Sequence, residues 1–338
     1  MKQLYMGPHS WTRATTILAL TVTSACTHLT SRPTLGGDTP RPPGKLVDVG
    51  GHRLHVNCIG RRSPTVVLES GAGDFSFDWS LVHRPLASVT RVCAYDRAGY
   101  AWSDPGPFPR TLRQIVFELH EALHNGDVQG PYVLVGHSLG GLIVRAYTTT
   151  YPEDVVGLVL VESSHEDNEI MMNGKVSLLR DFSRSRPIPA VQHRVKSLPE
   201  KKASEAAAAI KIEAPYDALP IDIQNIRRWA MKQPNYAAAR SSEFDYLPEE
   251  LVQMAAERVR VPVPLGHLPL VVVSRQDAPE PLNRLQGDLA RLSSNGSRVI
   301  AHTTDHHVQI EDPQTVISSV RHVVEIARSN AQRQSDKH

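Results

Sequence analysis

From Lys45 onward, short apolar runs alternate with longer stretches of mixed polarity. The runs at 45–49 and 53–58 flank a Gly50-Gly51 turn and predict an antiparallel hairpin. Further runs of Val, Leu and Ile stand at 65–69, 91–95, 132–135, 156–161, 268–273 and 298–301. They show no polar alternation, which predicts strands covered on both faces and therefore a mostly parallel sheet flanked by helices, the α/β class.

Between the strands, Thr111 with Gln114 three residues on forms a capping pattern; Leu112, Ile115, Leu119 and Leu123 then share one face, and Gly126 closes the helix. Asp312-Pro313 offers a cap and a first-turn proline ahead of Val316, Ile317, Val320, Val323 and Val324. The stretch 164–267 breaks the alternation. It carries many prolines and helical stretches such as 204–213 and 248–260 but no strand of its own, and so reads as a helical cap laid over the carboxyl edge of the sheet, where α/β proteins bind ligands. The core is then 45–163 plus 268–328, and 329–338, poor in apolar residues, is expected to trail as a disordered tail.

The front of the chain has a different pattern. Lys2, His9 and Arg13 precede an uncharged run at 14–22 that is too short to span a bilayer, and small residues lead up to Cys26. That order predicts a secretory signal peptide over 1–25 and hence an exported protein, periplasmic, extracellular or anchored at the envelope. Ser24-Ala25-Cys26 resembles the end of a lipobox, which would lipidate Cys26 and tie the chain to a membrane, although Thr23 stands where an aliphatic residue is usual. The Pro- and Gly-rich residues up to Gly44 complete a flexible tether over 26–44.

Composition narrows the function. Of 338 residues, 41% are hydrophobic and 21% charged, as in a folded globular protein rather than a disordered one. Lys and Arg number 37 against 35 Asp and Glu, so no basic field exists to grip nucleic acid. Three cysteines exclude a disulfide framework and a paired-thiolate zinc site.

The most informative string is Gly136-His137-Ser138-Leu139-Gly140-Gly141, between the strand at 132–135 and an apolar helical stretch. G-x-S-x-G in a strand-turn-helix setting is a nucleophile elbow: the turn is too sharp for side chains at its flanks, and the helix N-terminus after it favours negative charge at the serine. With Glu69-Ser70-Gly71-Ala72-Gly73 after the third strand and Asp96-Arg97-Ala98-Gly99-Tyr100 after the fourth, the chain resembles the α/β-hydrolase-fold superfamily, serine esterase-like, from about Lys45 to Arg328. Ser70 replaces the usual histidine of the first of these loops.

The resemblance implies an oxyanion hole from the backbone N–H groups of Ala72 and Leu139. It also implies chain order serine, acid, histidine, and counting back from Pro313 selects His306, favoured over His307, as the base. For the acid, Asp277 lies at the location usual in the superfamily and is preferred, and Glu162, at a strand end that a minority of members use, is the alternative. His302, His306 and His307 do not suggest a metal site, since they lie in a loop with no accompanying H-E-x-x-H glutamate. Cys58 and Cys93 fall on strands that the resemblance makes neighbours, either bridged or as two buried thiols.

The expected activity is a carboxylesterase-like serine hydrolase that cleaves a small-molecule ester through an acyl-enzyme, without a cofactor. A serine at the elbow argues against the dehalogenase and epoxide hydrolase chemistries, which need a carboxylate there. An amidase or peptidase, an acyltransferase, a carbon–carbon bond hydrolase and a non-catalytic binding protein on the same fold stay open.

Overall fold

The computed structural model describes residues 39–172, 174–195 and 210–336, and from Pro40 onward they belong to one unit. The expected signal peptide, Cys26, most of the tether and the greater part of the helix expected at 204–213 lie outside the described residues; 210–213, at that helix's expected end, is not helical. Among the described residues no helix is long and apolar enough to cross a membrane.

Eight strands form the main sheet: β1 Lys45–Asp48, β2 Arg53–Ile59, β3 Thr65–Glu69, β4 Val92–Tyr95, β5 Tyr132–His137, β6 Val155–Val161, β9 Leu270–Arg275 and β10 Gly296–Ala301, with β7 Glu169–Met172 and β8 Lys175–Leu178 as a separate hairpin. Their order is β1-β2-β4-β3-β5-β6-β9-β10, antiparallel at β1/β2 and β2/β4 and parallel elsewhere. Because successive side chains alternate across a strand, each apolar run feeds two cores. Leu134, Leu158, Leu160 and Val272 pack with helices α2 Leu112–Asn125 and α3 Leu139–Thr150 on one face. Val133, Val135, Val159 and Val273 pack on the other face with α1 Ser80–Leu86 and the long C-terminal helix, Pro313–Ser335. This two-sided burial is why the strands lack polar alternation.

The capping signals act as expected. Thr111 accepts a hydrogen bond from the Gln114 N–H at 3.1 Å at the start of α2. Asp312 does the same for the Thr315 N–H at 3.2 Å. Cys58 and Cys93 are register partners on β2 and β4 and form a disulfide.

Two expectations are corrected. The cap is not purely helical: besides α4 Ile221–Met231, α5 Tyr236–Ser242 and α6 Leu247–Arg260, it contains the β7/β8 hairpin. Nor do residues 329–335 trail. After α7 Leu282–Ala290 and α8 Val308–Glu311, the final helix, α9, continues to Ser335, since Ala, Gln and Arg sustain a helix without an apolar face. The cap is seated on the core by the Tyr236 hydroxyl donating to the Gly73 carbonyl at 2.8 Å and by the Arg110 N–H donating to Ser242 Oγ at 3.1 Å.

Candidate active site

Ser138 stands between β5 and α3 with φ 52° and ψ −119°, the strained turn expected of an elbow. The glycines on either side are sterically required. A Cβ on Gly136 would come within 2.5 Å of the Gly140 carbonyl oxygen, and one on Gly140 within 2.6 Å of the Glu69 carbonyl oxygen. The elbow is also tied to the next strand. The Ser138 N–H donates to the Val161 carbonyl at 3.1 Å, and the Ser164 N–H donates to the Ser138 carbonyl at 3.0 Å.

Leu139 is the first residue of α3, so its N–H has no partner in the preceding helical turn. Ala72 sits in the loop after β3, and among the described residues no acceptor is found for either N–H. What orients that loop is Arg97, fully buried after β4: its guanidinium donates to the Ser70 carbonyl at 2.7 Å and the Gly71 carbonyl at 2.7 Å. In a trans peptide the C=O and the following N–H point in opposite directions, so holding the Gly71 carbonyl turns the Ala72 N–H away from Arg97. Glu69 at 2.7 Å and the cap residue Glu243 at 2.7 Å hold the guanidinium in turn. Burial raises the Glu69 carboxyl above its ordinary range, against the pull of Arg97. Ser70, in place of the usual histidine, supports the loop from below: its hydroxyl donates to the Phe75 carbonyl at 3.1 Å and accepts from Trp79 Nε1 at 3.2 Å.

His306 follows β10, and its Nδ1 lies 3.5 Å from Glu162 Oε2, with the imidazole side chain 40% exposed and the glutamate 6%. Glu162 is held firmly: its own N–H donates to the Val273 carbonyl at 2.8 Å, and Oε1 accepts the Arg275 N–H at 2.8 Å. Asp277, preferred on the sequence, lies elsewhere. It is exposed past the end of β9 and, among the described residues, makes no ion pair or hydrogen bond with His306. The structure therefore brings Glu162, not Asp277, to the imidazole, because the chain leaves the sheet before it reaches 277. His307 faces the cap instead, its Nε2 2.7 Å from the Tyr216 hydroxyl.

Around these groups is a buried polar cluster that the sequence did not disclose. The Tyr216 hydroxyl donates to Asp74 Oδ1 at 2.6 Å, Arg227 lies 3.4 Å from the same oxygen and also pairs with Asp78, and the guanidinium stacks 3.4 Å over the Tyr216 ring. Burial alone would raise the Asp74 carboxyl, but its polar surroundings, among them the Arg227 guanidinium, hold that group below the usual carboxylate range. Asp78, for which burial dominates, is pushed up to about 7. Positions 74, 78, 137, 216, 227 and 307 share no motif or spacing, so only the fold assembles them.

A cavity of about 540 Å³ between α2, α3 and α6 is separate from this arrangement. Its wall includes Val116, Ala146, Met254 and Leu265 but none of Ser138, Glu162 and His306. Among the described residues no cluster of His, Cys, Asp and Glu is arranged to hold a metal ion. A hydroxyl on a strained turn, an imidazole backed by a carboxylate, and backbone N–H groups at a helix start are the parts needed for nucleophilic attack on a carbonyl.

Known proteins carry the same framework. The chain is 25% identical over 297 residues to an AB hydrolase superfamily protein of Gibberella zeae, covering 79% of this chain and 88% of that one. It is 34% identical over 129 residues to the probable transporter efuK of Hormonema carpetanum, a match to 36% of this chain that spans only 18% of that protein's length. A thermophilic esterase from Thermogutta terrifontis superposes with a TM-score of 0.60 at 18% identity, covering 84% of this chain and 99% of the esterase, which is a likeness of fold. The model of the alpha/beta hydrolase family matches residues 66–319, most of the 338, and the chain belongs to that family.

Proposed function

We propose that this hydrolase cleaves a carboxylic ester of a small molecule through an acyl-enzyme, with Ser138 as nucleophile, His306 as general base and then acid, and Glu162 as the carboxylate that orients the imidazole. The observation that carries the reading is the continuity of the site: an elbow serine in its strained turn, preceded by His137, whose ring lies 4.7 Å from that of His306, an imidazole whose Nδ1 faces a buried carboxylate at 3.5 Å. Ser138 Oγ would attack the ester carbonyl as His306 takes its proton. The oxyanion would be met by the N–H groups of Ala72 and Leu139, and His306 would return the proton to the departing alcohol. Water would then repeat the sequence on the acyl-enzyme and release the acid. The esterase neighbour agrees with this reading at the level of fold.

We place the protein outside the cytoplasm, an assignment supported by the sequence of the first 25 residues and by the Cys58–Cys93 disulfide, since such bridges persist in oxidising compartments.

The test is labelling of the wild-type chain by a fluorophosphonate, with Ser138→Ala as control, followed by a panel of esters and the matching amides. Ester turnover that Ser138→Ala lowers by at least about 10³-fold is expected, on the scale of losing a nucleophile from a triad. An unlabelled wild type would remove the serine hydrolase reading. Amide turnover equal to ester turnover would remove the ester preference alone.

A further inference from the structure

We infer that His137, the residue immediately before the nucleophile, is a positioning residue that holds the histidine loop and the oxyanion loop in register with Ser138. The inference rests on the serine hydrolase reading of the site.

His137 is the last residue of β5 and is 1% exposed, so the sheet fixes its backbone and packing fixes its ring. Its Nε2 lies 3.0 Å from the carbonyl oxygen of His306. A carbonyl only accepts, so Nε2 carries the proton and donates it. In the neutral ring Nδ1 is then an acceptor, and the Gln309 side-chain amide donates to it at 3.2 Å. Both bonds reach the chain around His306, one at that residue itself and one three residues on. On its other side the ring lies against the oxyanion loop, where a Cβ added to Gly71 would approach Nδ1 to 2.8 Å. One ring thus touches the segments that carry the base and the Ala72 N–H, from a backbone position adjacent to the nucleophile.

The anchor matters because the side-chain tie of His306 is long. Its Nδ1 is 3.5 Å from Glu162, beyond an ordinary hydrogen bond, and the imidazole is partly exposed. The main chain of His306 is therefore held chiefly through its carbonyl. Burial, together with the nearby His306 and His307, keeps the His137 ring low, at about 4, despite Asp74 3.5 Å from Nδ1. At neutral pH the ring is uncharged and its donor and acceptor stay assigned as above.

A core histidine that merely fills space would show the same burial, so the test must separate packing from hydrogen bonding. In His137→Gln the side-chain amide nitrogen falls near the position of Nε2 and keeps the donor. In His137→Phe the flat ring remains and the donor is lost. For His137→Phe, kcat on an activated ester should fall about 100-fold, the scale of an ångström-size misplacement of a catalytic group, with KM changed less than about threefold. His137→Gln should recover to within about tenfold of wild type.

Should His137→Phe fail to fold, Gln309→Met tests the same anchor. It removes the hydrogen bond that fixes the ring tautomer, and because Gln309 Oε1 is buried without a partner, methionine also removes an unsatisfied polar atom. Its kcat should fall about tenfold with an unchanged melting temperature. Equal losses in His137→Phe and His137→Gln at equal melting temperature, or a Gln309→Met enzyme at wild-type kcat, would overturn the inference. Fluorophosphonate labelling distinguishes the two levels: a wild type that labels while His137→Phe labels at the same rate defeats the positioning role alone, whereas a wild type that does not label defeats the site reading and this inference with it.

Discussion

The carboxyl ends of β6 and β9, neighbours in the sheet, each carry an acid just beyond the strand. Glu162 follows Val161 with φ 42°, and Asp277 follows two residues after Arg275 with φ 53°. Both backbones turn left-handed after a Val-rich run, and both acids suit the third position of a triad. Their surroundings differ. Glu162 is still inside the sheet's hydrogen-bond pattern, its N–H on the Val273 carbonyl and its carboxylate capping the Arg275 N–H, so it stays buried and reaches His306. By Asp277 the chain has left β9: the Gln276 N–H bonds to the Thr303 carbonyl in the histidine loop, and the next residue faces solvent. Position at a strand end supplies the candidates, and burial by the adjacent strand selects between them.

The sharpest way to break this comparison is to remove each charge in turn. Glu162→Gln keeps the shape of the side chain while abolishing the acceptor pair that fixes the imidazole tautomer, and kcat should fall by on the order of 10⁴. Asp277→Asn should stay within about twofold, since asparagine accepts the left-handed backbone and an exposed charge is replaced. Single-turnover and steady-state kcat on one activated ester measure both. A loss of three orders of magnitude or more in Asp277→Asn, with Glu162→Gln near wild type, would return the acid to β9.

A smaller change sharpens the same contrast. Glu162→Asp keeps the charge but withdraws it by one methylene, from a starting separation of 3.5 Å. If reach to His306 is what distinguishes this acid, kcat should drop about 100-fold. An aspartate enzyme at wild-type rate would mean that the field of a nearby charge suffices and the contact does not matter.

This comparison also marks how far the sequence could be read. The elbow and the parallel sheet follow from local strings, since strand burial and sharp turns leave their mark on adjacent residues, whereas His306 is reached only through the resemblance, by counting back from Pro313. The acid does not follow from local strings either, because an acid stands shortly past an apolar run at both 162 and 277 and the burial of each depends on a different strand. The β7/β8 hairpin had a legible signal, an Asn173-Gly174 pair between short apolar runs. The extension of α9 to Ser335 had only helix propensity to announce it, once the apolar stripe ended at Ala327. For the cluster of Asp74, Tyr216, Arg227 and His307 nothing local exists to read: its members come from the oxyanion loop, the cap and the histidine loop, and their pairing is a product of tertiary packing.

A smaller loss than that of either Glu162 variant is expected from what holds Glu162 itself. Two groups of Arg275 face that carboxylate: the backbone N–H, 2.8 Å from Oε1, and Nε, 3.4 Å from Oε2. The backbone contact is short and belongs to β9, so no substitution of the side chain touches it. The guanidinium contact is long, partly exposed, and shares Oε2 with His306, and pairs of that kind are worth at most about 1 kcal/mol. Arg275→Met should therefore lower kcat by no more than about fivefold, with the same ester and the same labelling assay as for the Glu162 variants. A loss approaching that of Glu162→Gln would show that the guanidinium, and not the strand, keeps the carboxylate on the imidazole. In that case the advantage of β6 over β9 would lie in one cation at the strand end rather than in burial by the sheet.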